Sequence, residues 1–123
     1  MKKKIKILIS IIIFIIISFV SVVVSVNLTG VLNPVSSVVS ISRVILDEDD
    51  MYVVAQNKPW KIMIAKSYID GKSAQDILDE YMENDGYEMS DRMGSVITYK
   101  NEDANERKIH FSVNKYYSIW EWI

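Results

Sequence analysis

VNKYYSIWEWI, residues 113–123, closes the chain with Tyr116, Tyr117, Trp120 and Trp122 inside seven positions. Its reading decides the fold, because such a run can be a core strand, a stacking platform for glycan or peptide, or a belt at a bilayer interface. Strand alternation puts Tyr116, Ser118, Trp120 and Trp122 on one face and Tyr117, Ile119, Glu121 and Ile123 on the other. A small domain without disulfides needs large rings in its core, which favours the first reading.

Just upstream, RKIHFSVNKYY (107–117) reads as a strand with Ile109, Phe111 and Val113 sharing a face. The polar turn NEDANE (101–106) joins it to a second strand, RMGSVITYK (92–100), in which Gly94 marks a bulge. Before these, Ser73 caps a helix with Asp76 three residues on, Ile77, Leu78, Tyr81 and Met82 form its apolar stripe, and Gly86 stops it. Two further strands, MYVVAQ (51–56) and WKIMIAKSY (60–68), meet at the turn Asn57–Pro59, and DGK (70–72) makes the next turn.

The expected fold class is therefore α+β, a β-β-α-β-β domain in which an antiparallel sheet carries one packed helix. Trp60, Ile62 and Ile64 have one parity, Met63 and Ala65 the other, so both sheet faces are apolar while one helix covers only one of them. The second face needs a cover: the 35–46 segment, a partner protein or the membrane surface. Asn33 and Pro34 resemble an N-cap and first helical residue, yet VSSVVSISRVIL is rich in β-branched residues. The expectation is a short helix over 35–42 running into strand near Val44–Leu46.

Ile7–Val26 is a run of twenty residues without a charge, enough for a helix of about 30 Å that crosses a bilayer. A secretory signal has a shorter apolar core and a small-x-small exit; the only weak candidate cut follows Ser25. The expected organisation is a transmembrane anchor at 1–26, a membrane exit linker at 27–34 containing NLTG, and an extracytoplasmic domain at 35–123. A secreted form after signal cleavage and a buried core helix are the alternatives. Lys2, Lys3, Lys4 and Lys6 would stay cytoplasmic by the positive-inside rule.

Those four account for part of the 14 basic residues, whereas all 16 acidic residues lie beyond position 46, so the chain after residue 26 carries 10 minus 16, a formal −6. That sign disfavours nucleic acid as a partner. With no cysteine and His110 the single histidine, thiolate chemistry and His-pair metal sites are excluded.

Other candidate motifs fail on context. SVNK (112–115) has S-x-x-K spacing, but its serine and lysine lie on opposite faces of a strand rather than at a helix start. Gly86 as the sixth position of a calcium loop would put Tyr81 and Arg92 where carboxylates are required. DEDD (47–50) reads as a solvated turn, and His110 as a surface residue. No catalytic residue, cofactor or metal is expected.

The segments NP (33–34), IAK (64–66), YM (81–82), GY (86–87), RMGS (92–95) and above all FSVNKYYSIWEW (111–122) resemble a family of small single-span membrane proteins of Gram-positive bacteria. The resemblance implies an anchored ectodomain and carries over no catalytic residues. The expected function is a non-enzymatic envelope module that binds a protein partner, with Trp60, Tyr116, Trp120 and Trp122 as candidate contacts. The alternatives are a cell-wall glycan binder using Trp120 and Trp122, and a small hydrolase.

Overall fold

The computed structural model describes residues 1–123. Helix α1, Lys2–Thr29, has a mean hydropathy of 3.3 over its most apolar window and none of that window is buried by the rest of the protein. Its 28 residues span about 42 Å, long and apolar enough to cross a membrane. The helix runs three residues past Val26, so Asn27–Thr29 belong to it and the link that follows is only Gly30–Asn33. Gly30 takes the left-handed conformation (φ 79°) and donates to the Val26 carbonyl, which ends the helix.

Helix α2, Pro34–Leu46, begins where Asn33 accepts hydrogen bonds from the Val35 and Ser36 amides, with Pro34 as its first residue. It stays helical to Leu46, correcting the expected strand at Val44–Leu46. Tertiary packing overrides β-branched propensity here: Val44 is buried against the sheet, and Lys66 Nζ donates to the Val44 and Asp47 carbonyls at the helix end.

The domain's sheet has six antiparallel strands in the order β1-β2-β8-β7-β6-β5. The strands are β1 (Tyr52–Gln56), β2 (Ile62–Lys66), β5 (Glu88–Met93), β6 (Val96–Lys100), β7 (Glu106–Val113) and β8 (Tyr117–Trp122). A two-stranded hairpin, β3 (Tyr68–Ile69) with β4 (Lys72–Ser73), turns at Asp70 and Gly71, both at positive φ, and leads into α3 (Ala74–Asn84). The fold is thus α+β, an antiparallel sheet with a packed helix behind a long apolar helix.

The strand count differs from β-β-α-β-β because β5 starts at Glu88, ahead of the expected 92–100 strand, the tail forms its own strand after β7, and 68–73 makes the β3–β4 hairpin. Gly94 (φ 61°) turns β5 into β6 instead of bulging one strand. The Asn114 side chain accepts from the Tyr116 and Tyr117 amides and reverses the chain between β7 and β8, so Tyr116 lies in the turn, outside the strand whose parity it was expected to share. Strand β8, the end of the chain, is thereby placed in the middle of the sheet between β2 and β7.

Two cores result. Between α3 and one sheet face lie Met63, Ala65, Ile77, Leu78, Met82, Ile97, Tyr99, Ile109, Phe111 and Trp120. On the other face Val31, Val44, Ala55, Ile62 and Ile64 pack together beneath α2, with Ile41, Val53, Tyr117 and Ile119 around them. The 35–46 segment is therefore the cover of the second face over β1, β2 and β8.

Candidate functional site

The four aromatic candidates do not converge. Trp120 is 0% exposed, pairing with Met63 on β2 and Phe111 on β7, and belongs to the core. Tyr116 is exposed in the β7–β8 turn, while Trp60 is exposed in the β1–β2 loop, at the opposite end of β8. Trp122 is half-buried at the core margin.

What does assemble around Trp120 and Trp122 is a cluster with Tyr52 from β1 and Tyr81 from α3. Ring centroids lie 5.1 Å apart for Tyr52–Tyr81, 5.6 Å for Tyr81–Trp120 and 6.1 Å for Tyr81–Trp122, the first and last edge to face. Lys61 closes it, its ammonium 4.5 Å from the Trp122 ring centroid and donating to Tyr81 Oη at 3.0 Å. The cation that such a cluster could take is already supplied by the chain's own lysine. The parity of β8 was legible in the sequence; the arrival of Tyr52, Lys61 and Tyr81 depends on non-local pairing and had no sequence signal.

Several ionisable groups elsewhere are engaged in structural bonds. Tyr99 Oη donates to Asp79 at 2.6 Å, Gln75 donates to the same carboxylate at 3.0 Å, and Arg92 Nη1 donates to Gln75 Oε1 at 2.7 Å, latching α3 to β6 and β5. Burial, then the Asp79 carboxylate, pushes the Tyr99 phenol far above its ordinary range. Arg107 pairs with Asp85 at 2.9 Å, and its guanidinium lies 4.0 Å from the Tyr87 ring centroid. In the DEDD turn Asp47 accepts from the Asp49 amide and Asp50 pairs with Arg43. His110 lies opposite Glu121 on the partly open sheet face, half-buried.

Three surfaces stand open. Strand β5 is exposed along its whole length, including Met89 and Met93. Tyr68 and Tyr116 flank the link made by the Ser67 hydroxyl to the Lys115 carbonyl. Helix α2 turns Val35, Val38, Val39, Ile45 and Leu46 outward. Comparison with protein families, characterised proteins and solved structures gave no match to this chain.

Proposed function

We propose that this protein is a membrane-anchored, non-enzymatic interaction module, with α1 as a single span, its lysine-rich start in the cytoplasm and the sheet domain outside, where it binds another envelope protein. The observation that carries this reading is how the anchor is joined to the domain. The link is four residues long, and Val31 within it is fully buried in the second core. Thr29 Oγ1 bonds the Ser37 hydroxyl at 3.0 Å, and the Gln56 side chain bridges the Leu32 amide and the Trp60 carbonyl.

A domain built onto its anchor in this way has no reach, so its partner must itself be close to the membrane. The resemblance to single-span envelope proteins agrees with this. Strand β5 offers the partner an open edge with two exposed methionines, a side chain suited to adaptable contacts. A glycan-stacking role is less well supported, because Trp120 presents no surface.

A photoreactive amino acid at Met93, in otherwise unaltered cells, tests the proposal. A discrete crosslinked membrane protein at Met93, absent when the same group replaces Glu48, is the expected result. Uncrosslinked monomer at Met93, Met89 and Tyr68 alike would overturn it.

A further inference from the structure

Helix α2 is apolar away from the sheet as well as toward it. Three of its serines face the protein: Ser37 and Ser40 are buried, and the Ser36 hydroxyl donates to the Ala55 carbonyl. Ile41 and Val44 pack on the sheet side, but Val35, Val38, Val39, Ile45 and Leu46 face away and fall on one stripe at helical spacing, with Leu46 81% exposed. The one charge on the helix, Arg43, is held by Asp50 at 3.1 Å. Water is the wrong solvent for such a stripe.

The stripe is continuous with the anchor. Val35, Val38 and Val39 share a surface groove with Ser21, and a neighbouring groove of about 330 Å³ between the helices is lined by Val20, Val24 and Leu28 of α1 and by Val38 and Ile41 of α2. Ser21 precedes Val26, the last residue before the polar Asn27, by five residues, which at ~1.5 Å per residue puts it about 7.5 Å inside the apolar stretch. That depth matches the roughly 5–10 Å to which an interfacial helix sinks its apolar face.

From this we infer that the outer stripe of α2 is embedded in the outer leaflet, in contact with lipid acyl chains, so that α2 is a slab between bilayer and sheet. The inference rests on the reading of α1 as a membrane span. It explains why α2 is apolar on two sides: Ile41 and Val44 are committed to the sheet, and the outer stripe to lipid.

The chain has no cysteine, so spin labels can be placed singly in the full-length protein in vesicles of phosphatidylcholine and phosphatidylglycerol. Labels at Val39→Cys and, as a second position, Leu46→Cys are compared with Phe14→Cys in mid-span and Met93→Cys on the open strand. Labels at 39 and 46 are expected to relax more with oxygen than with an aqueous nickel chelate, as at 14 and the reverse of 93. If 39 and 46 follow 93 while 14 stays oxygen-favoured, the stripe lies in water and the inference falls while the anchor stands. If 14 also follows 93, the anchor reading itself fails. Protection of 39 from both reagents, with dipolar broadening that vanishes on dilution by unlabelled chain, would assign the stripe to a second copy and overturn the lipid assignment.

Discussion

Trp120 sits at the crossing of everything that holds the domain: paired to Met63 and Phe111 across the sheet, within 6 Å of the Tyr81 and Tyr52 ring centroids, and fully buried. Trp120→Ala should therefore cost about 3–5 kcal/mol, a large share of the roughly 5–10 kcal/mol available to a domain this small, and thermal melts should show it largely unfolded. Two places along the strand, Ser118 behaves differently. Its hydroxyl is buried with no hydrogen-bond partner, so Ser118→Ala is expected to leave the melting temperature unchanged or raise stability by about 1 kcal/mol. A clear fall in the melting temperature of Ser118→Ala would mean that the hydroxyl has a partner. The indole N–H of Trp120 is unpartnered in the same way, so the ring holds its place by packing and not by that donor.

Among the elements, α3 shows how local signals and tertiary contacts agree. Its start is a reciprocal capping box between Ser73 and Asp76; its end is a Schellman motif, with Tyr87 donating to the Met82 carbonyl and Gly86 to that of Glu83. The Ser73 backbone N–H and hydroxyl hold the Asp76 carboxyl below the ordinary carboxylate range. A depressed folded value means that this stabilisation is complete above the unfolded value of about 3.9 and is lost as pH falls through the folded one. Melting temperatures of Asp76→Asn should therefore decline less than the parent's on acidification below pH ~4. Ser73→Ala should cost about 1 kcal/mol, measured by urea unfolding.

For the whole molecule, α1 and the sheet domain are one structure joined through α2. Removing residues 1–30 leaves α2 over β1, β2 and β8 and α3 on the opposite face, so a fragment of 31–123 should fold but need detergent to shield the α2 stripe. Removing 1–46 uncovers Ile62 and Ile64 as well, and that fragment should aggregate. Near-ultraviolet circular dichroism and size-exclusion chromatography of the two fragments separate these outcomes; a monomeric, folded 47–123 fragment would show that α2 is dispensable as a cover.

By itself the sequence determined whatever depends on neighbours along the chain: the charge-free run of α1, the capped helix α3, the turn at Asp70–Gly71 and the shared parity of Ser118, Trp120 and Trp122, whose burial the sheet then decided. It also showed that a second apolar sheet face needed a cover and named the 35–46 segment among three candidates, without choosing between them. Only the tertiary structure decided that Val44–Leu46 is helix, that Glu88–Met93 is a strand turned into β6 at Gly94, that Asn114 separates β7 from β8, and that the tail is the central strand. The reason is the same in each case. Propensity and alternation are local, whereas β8 is held by β2, which lies more than fifty residues earlier, and α2 is held by the face of that pair.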